Sequence, residues 1–236
     1  MKVVRLQEGD NPGWILNVNK PVGKTSYAVV SYVKKLSKIR KVGHAGSLDP
    51  GASGVLIIVI GRATKQVEKL MDLEKVYTGT VRFGMVTDTY DLDGTLIEER
   101  DVKGVNAELI EQSLKAFSGT VKQVPPPFSA LKHKGRPLYS YARKGEIVIP
   151  DAREVNIYSI ELESYIEPDA VIHVTCSRGT YIRSIAHELG RKLGCGAVLS
   201  SLTRERVGEY RLSDSCSWDE LPDTVNAMIL GQNGSN

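Results

Sequence analysis

Residues 43–56 read GHAGSLDPGASGVL, and they place one carboxylate, Asp49, among a histidine (His44), a proline and four glycines. A carboxylate on a loop of small residues, at the mouth of the apolar run VLIIVIG, can serve as general base, as nucleophile or as electrostatic partner to a developing charge. Taken alone, an aspartate before proline is more often a turn residue, and a glycine-rich loop can also cradle a phosphate or turn a corner. Other chemistries find no support in the sequence. It contains no G-x-x-x-x-G-K-[ST] phosphate loop, no GxGxxG between strand and helix, no HExxH and no GxSxG elbow. His44, His133, His173 and His187 are scattered singly, without the clustering a metal site asks for. The acidic turn TDTYDLDGTLIEE resembles a calcium loop only in part. With Gly94 at the sixth position the twelfth falls on Arg100, where a bidentate glutamate is required.

The elements that must carry these residues follow from periodicity. WILNV (14–18) reads as a short strand, and in KPVGKTS either Thr25 or Ser26 can cap a helix over YAVVSYVKKLSKI. In that helix Val29, Val30, Val33 and Leu36 form an apolar stripe, opposite a basic side. VLIIVI has the length and continuity of a buried strand, and ATKQVEKLMDLEK reads as a helix. VYTGTVRFG is a strand followed by a hairpin-like meander through Asp93-Gly94. NAELIEQSLKAFSG is an amphipathic helix with Asn106 as its cap. The segment VPPPFSALKHKGRPLYSYARKGEIVIPDAREV is a spacer or a binding loop, with a short helix near 139–143. Strands resume in VNIYSIELESYI and DAVIHVTCS, and GTYIRSIAHELGRKLGCG is a turn and helix ended by Gly194. After LTRERVGEY only a weakly patterned tail remains, and its end, GQNGSN, is expected to fray.

A length of 236 residues and a 41% hydrophobic content allow a sizeable core in one large domain or two small ones. No apolar run approaches a membrane span, and MKVVRLQEGD lacks the apolar stretch of a signal peptide, so a cytoplasmic location is expected. Cys176, Cys195 and Cys216 are odd in number and widely spaced, which suggests neither a disulfide framework nor a zinc site. A net charge of +3 is too mild to identify a nucleic-acid binder, but its distribution is uneven. One basic cluster is Lys34, Lys35, Lys38, Arg40 and Lys41. The other is Lys132, Lys134, Arg136, Arg143 and Lys144, with Tyr139 and Tyr141 interleaved so that rings could meet bases while cations meet phosphates. Either cluster could equally be a solvated face.

GHAGSLDPGASGVLIIVIGRATK resembles the catalytic motif of the TruB-type tRNA pseudouridine synthases, which isomerise one uridine in the T-loop of transfer RNA. Further segments agree in the same order: KPVGKTS at 20–26, KVYTGTVRFG at 75–84, QVPPPFSALKHKGRPLYSYARKG at 123–145, and GTYIRSIAHELGRKLGCGA with LTRERVG between 179 and 208. The resemblance implies a mixed α/β (α+β) catalytic domain over 1–212, with a long, mostly antiparallel twisted sheet flanked by helices and a thumb insertion at about 123–151. It implies a reaction that breaks the C1′–N1 bond, turns the freed uracil and joins C5 to C1′. No atoms are gained or lost, so no cofactor and no metal are expected.

The same resemblance makes Asp49 the essential carboxylate, acting on the sugar, on the ring or by drawing off a sugar proton, and makes Arg183 the cation that keeps it ionised. Tyr77 is the ring that lies on the flipped base, His44 props the space left in the RNA stack, and Tyr181 and Leu202 contact the flipped uridine. Lys20, with Pro21, matches a supporting motif near the site, and Lys132 and Arg143 of the thumb would grip phosphates. The glycines would let the loop pass close to RNA. Ala45 and Ser47 stand where the family's usual GHTGTLDP has threonines, Gly51 replaces a bulkier residue, and Phe128 stands where tyrosine is usual. Many relatives carry a C-terminal PUA domain, for which residues 213–236 are too few, so a short form without it is expected. The expected partner is the T-loop stem of tRNA, with no protein partner implied and a monomer expected. Two alternatives remain: a catalytic subunit of a guide-RNA complex, and an RNA chaperone that keeps the fold without turnover.

Overall fold

The computed structural model describes residues 2–6, 12–129, 131–142, 144–146 and 148–233. In chain order its elements are β1 (Val3–Leu6), β2 (Gly13–Lys20), α1 (Ser26–Ser37), β3 (Val42–His44), β4 (Ser53–Gly61), α2 (Val67–Asp72), β5 (Lys75–Phe83), β6 (Met85–Thr87) and β7 (Leu96–Glu99). They continue with α3 (Ala107–Leu114), β8 (Gly119–Gln123), β9 (Lys132–His133), β10 (Arg136–Pro137), α4 (Leu138–Ala142), β11 (Arg153–Ile166), β12 (Asp169–Cys176), α5 (Ile182–Leu193), β13 (Ala197–Val207), β14 (Tyr210–Arg211) and α6 (Leu221–Asn233). Contacts divide the chain into two units, Met1–Tyr77 with Thr203–Asn236, and Thr78–Leu202.

In the first unit the strand order is β1–β2–β4–β13. β2 lies antiparallel to β4 from Gly13 opposite Gly61 to Lys20 opposite Gly54, and β13 joins β4 in parallel at Thr203 and Arg204. The unbroken apolar run of β4 is explained by burial on both faces. Leu56, Ile58 and Ile60 pack with Trp14, Leu16 and Val18 of β2, the α1 stripe Val29, Val30 and Val33, and Leu221, Val225 and Met228 of α6. Val55, Ile57 and Val59 pack on the opposite face with Ala63, Leu70, Val207 and Tyr210. A strand buried on both sides gains from apolar residues at every position, whereas a half-buried strand alternates. Thr25 is the cap of α1: its Oγ1 accepts from the Ala28 N–H at 3.0 Å. Lys35, Lys38, Arg40 and Lys41 are exposed, so the first basic cluster faces solvent.

In the second unit the order is β13–β5–β12–β11–β8. β12 alternates as its sequence predicts, burying Ala170, Ile172, Val174 and Cys176, while α3 and α5 turn Ile110, Leu114, Ile185 and Leu189 inward. Asn106 caps α3 by accepting from the Leu109 N–H at 3.0 Å, and Gly194 ends α5 at φ +79°. Leu138–Ala142 forms the short helix expected near 139–143.

The structure departs from the sequence expectations at several elements. The expected helix over 63–75 is a 3-10 turn (Arg62–Gln66) followed by a six-residue α2. The meander is a separate β6–β7 hairpin rather than an extension of β5. β8, with a single apolar residue in GTVKQ, pairs with β11 although its sequence carries no strand pattern. The tail holds helix α6, started by a reciprocal cap in which the Ser217 N–H donates to Glu220 Oε2 and the Glu220 N–H to Ser217 Oγ. Leu221, Val225 and Met228 bury its inner face. Residues 234–236, part of the end expected to fray, lie outside the described residues. Cys176, Cys195 and Cys216 are buried and form no disulfide among the described residues. Among the described residues no helix is long and apolar enough to cross a membrane.

Candidate active site

The Asp49 loop is fastened from two sides within the first unit. From the KPVGKTS turn, Ser26 Oγ donates to the Leu48 carbonyl (3.1 Å) and accepts from the Leu48 N–H (2.9 Å), while the Gly23 N–H donates to the Pro50 carbonyl (2.8 Å). From β13, Arg204 reaches under the loop with a guanidinium that is 1% exposed. Its Nε donates to the Val55 carbonyl at 2.7 Å, Nη2 to Gly46 at 3.0 Å and Nη1 to Ser47 at 3.4 Å. Two glycines are needed for this packing. Gly46 adopts φ +96°, and a Cβ on Gly54, at φ +102°, would lie 2.3 Å from the Arg204 carbonyl oxygen. Gly54 therefore serves the close approach of β13 to the loop's end, where the sequence suggested access for RNA.

Lys20 ends β2 beneath the same loop and is fully buried. Its ammonium donates to the carbonyls of Pro21 (3.0 Å), Lys24 (2.6 Å) and Pro50 (3.3 Å), so it ties the turn to the residue after Asp49. Burial drives its pKa down to about 8, against the attraction of Asp49, which favours the charged form, and with some help from the Arg204 charge. Below pH 8 the lysine is protonated in both the folded and unfolded chain. Between about 8 and the ordinary value of 10.5 only the unfolded chain keeps the proton, so over that window this group makes stability rise with pH. Over the same window the folded loop loses the cation beneath Asp49. Turnover should therefore fall as pH rises through about 8. In Lys20→Arg, whose guanidinium does not titrate there, that alkaline limb should move away; a pH–rate profile with the limb unmoved would discount Lys20.

His44, at the end of β3, is half-buried, and its Nδ1 is buried with no hydrogen-bond partner among the described residues. Burial first, and the Arg204 charge second, lower its pKa below the usual histidine value, so the ring is neutral at neutral pH. Tyr77, on the inward face of β5, is 8% exposed.

In the second unit Arg183 occupies the first turn of α5 and is 4% exposed, buried where a helix-start arginine would by default face solvent. Nη1 donates to the Thr89 carbonyl at 2.8 Å and Nη2 to the Phe128 carbonyl at 3.0 Å, and Nε lies 3.5 Å from Asp91 Oδ2. Tyr181 precedes the helix. Its backbone is gripped by Gln123, whose Oε1 accepts from the Tyr181 N–H (2.8 Å) and whose Nε2 donates to the Tyr181 carbonyl (3.1 Å). Leu202 is partly buried, its methyl close to Gly79 on β5. Lys132 belongs to β9, but its side chain lies outside the described residues, as does Arg143 altogether.

Three positioning residues were not singled out from the sequence: Arg204, Asp91 and Gln123. Asp91 sits in the acidic turn weighed only for calcium, where its Oδ1 accepts from the Asp93 N–H at 3.1 Å and Asp88 Oδ1 accepts from the Thr95 N–H at 2.8 Å. A buried arginine elsewhere in the chain was the missing signal for its second oxygen. Arg204 lay inside LTRERVG, where nothing in the pattern separates it from the partly exposed Arg206.

Comparison with known proteins shows which family the chain resembles along most of its length. The model of the TruB family pseudouridylate synthase N-terminal domain matches residues 34–182. A tRNA pseudouridine synthase B of Desulfotalea psychrophila is 46% identical over 216 residues, covering 89% of this chain and 88% of that protein. One of Dehalococcoides mccartyi is 43% identical over 207 residues, covering 88% of this chain and 69% of that protein. Among solved structures, a chain of a Cbf5–Nop10–Gar1 complex is 29% identical with a TM-score of 0.70 over 94% of this chain. This chain spans just over half of it, 56%. An H/ACA RNP bound to a substrate RNA containing 2′-deoxyuridine aligns with a TM-score of 0.67 at 27% identity, over 94% of this chain and 56% of that one. The chain belongs to the TruB family of pseudouridylate synthases.

Proposed function

We propose that this chain converts one uridine of the tRNA T-loop to pseudouridine. The observation that carries the reading is its 46% identity to a protein named tRNA pseudouridine synthase B across nearly the whole of both chains. The loop built around Asp49 supports it. In the proposed reaction the target nucleotide is flipped from its stack, because its reacting atoms are out of reach inside it. Asp49 acts as nucleophile or base while the C1′–N1 bond breaks. The uracil turns, C5 bonds to C1′, the C5 proton leaves and N1 gains one, so the product is an isomer. Arg183 is assigned as the cation of the reaction, and Tyr77 lies against the everted base. His44, with a neutral flat ring, suits stacking within the loop RNA. Tyr181 and Leu202 are assigned to the same nucleotide. Lys132 and Arg143 of the thumb are assigned to phosphates, with Lys20 supporting the loop from beneath. The reading needs no cofactor, and it places a single copy of the chain on tRNA in the cytoplasm.

The likeness to Cbf5 favours a second reading, a catalytic subunit that works with a guide RNA, though at lower identity. One experiment separates the two. The protein alone is incubated with an unmodified T-loop stem, and pseudouridine is mapped by its chemical derivatisation. Conversion of one loop uridine without guide RNA or other proteins is the expected result. Binding without conversion would sink the reading and favour the chaperone alternative.

A further inference from the structure

We propose that Tyr90 and His187 form a positioning pair that orients Arg183 for the reaction proposed above, on which reading this inference rests. The guanidinium of Arg183 takes two of its contacts from residues that flank Tyr90: the Thr89 carbonyl at 2.8 Å and the Asp91 carboxylate at 3.5 Å. Tyr90 itself adopts φ +65°, the left-handed region. A bulky aromatic is rarely found there, and the conformation costs on the order of 1–2 kcal/mol, so it persists only where the surroundings enforce it. The kink directs the oxygens of both neighbours to one cation.

What holds the kink is visible on either side of it. The Tyr90 carbonyl accepts from the Leu199 N–H at 2.9 Å, and Thr87 Oγ1 donates to the Asp91 carbonyl at 2.7 Å. The Tyr90 ring stacks on His187, with centroids 3.8 Å apart and planes inclined by 12°. His187 follows Arg183 by one turn of α5, so the two project from the same face of the helix. The helix that carries the arginine thus also carries the ring against which the opposing turn is pressed. Rotation or slippage of either element would disturb the stack and the guanidinium contacts together. The imidazole is suited to stacking as a neutral ring: burial lowers its pKa, with Glu188 favouring the charged form and Arg191 opposing it. Neither ring is assigned to substrate. Their contribution to turnover is the placement of a cation, where a displacement of about 1 Å can cost on the order of 100-fold in rate.

The test uses the full chain and four variants, with kcat and KM read on the T-loop stem and folding followed by Tm. His187→Ala removes the stack. Tyr90→Gly removes it while also relieving the left-handed strain, so a role for backbone conformation alone would leave it active. Both are expected to lower kcat by about 10-fold to 100-fold with little change in KM. His187→Phe and Tyr90→Phe, which keep a flat ring on each side, should recover most of the lost kcat. A second readout does not depend on turnover: exchange of the Arg183 Nε proton with solvent, followed by 15N NMR, should speed up in His187→Ala and return toward the parent in His187→Phe. The inference is overturned if His187→Ala and Tyr90→Gly keep parental kcat, if the phenylalanine variants rescue nothing, or if proton exchange is the same in all chains. Should the parent chain make no pseudouridine while the exchange pattern follows the stack, the reaction assigned above fails and the positioning pair survives.

Discussion

Asp49→Asn is expected to bind the T-loop stem much as the parent chain does, yet to lose pseudouridine formation by a factor on the order of 10⁴ or more. The substitution keeps the shape of the side chain and removes its negative charge. An amide is neither a base nor a nucleophile at neutral pH, so each of the roles open to the carboxylate, attack on the sugar or ring or removal of a sugar proton, is lost equally. The loop's fastenings should survive, because those identified run through Leu48, Pro50, Gly46, Ser47 and Val55 rather than through this side chain. Because C5 gives up its proton when it bonds to C1′, release of tritium from RNA labelled at C5 measures the reaction directly. A variant that releases tritium at more than about a tenth of the parental rate would show that another group does the chemistry.

Arg204→Ala should be the most damaging substitution that touches no reacting atom. The guanidinium is almost fully buried and serves three carbonyls, of which Val55 belongs to a residue with no exposure, while Gly46 and Ser47 are partly reachable by water. An orphaned buried acceptor costs about 1–3 kcal/mol, and loss of a large buried side chain leaves a cavity as well. A destabilisation of roughly 2–4 kcal/mol follows, read as a fall in Tm of about 4–16 °C for a chain of this size. Because two of the three carbonyls lie just ahead of Asp49, turnover at temperatures where the variant remains folded should also drop, by about 100-fold. Arg204→Lys offers one donor centre in place of a planar fork and should fall between the two chains in both measurements. Parental Tm and kcat in Arg204→Ala would mean that the loop holds itself without the arginine.

The elements legible in the sequence were those whose partner lay within the pattern itself. The α1 stripe of Val29, Val30 and Val33, the continuous burial of β4 and the alternation of β12 each appear where periodicity placed them. So do Thr25, Asn106 and Gly194 at helix ends, because a cap is a contact between residues only a few positions apart. β8 was hidden because its strand identity comes from pairing with β11, thirty or more residues away. Helix α6 was hidden for a different reason. Its signals, a reciprocal Ser217–Glu220 cap and apolar residues at 221, 225 and 228, are local but short, and they sit at the end of a chain where disorder is the usual expectation.

The site divides in the same way. Residue types and order alone determined that Asp49 stands on a loop of small residues ahead of a buried strand, and the ordered motifs around it determined the family. They could not determine what holds that loop still. Arg204 reads as an ordinary cation in a chain with 31 of them and Lys20 was marked only by its motif, and only tertiary packing buries both beneath the loop and sets their charges on backbone carbonyls. Arg183 likewise became a buried cation, held by the Thr89 and Phe128 carbonyls and the Asp91 carboxylate, only once the turn at Thr89–Asp91 folded against α5. The physical reason is that a charge is placed by its desolvation and by the acceptors that compensate it. Those acceptors are carbonyls, which every residue possesses and which no sequence pattern marks.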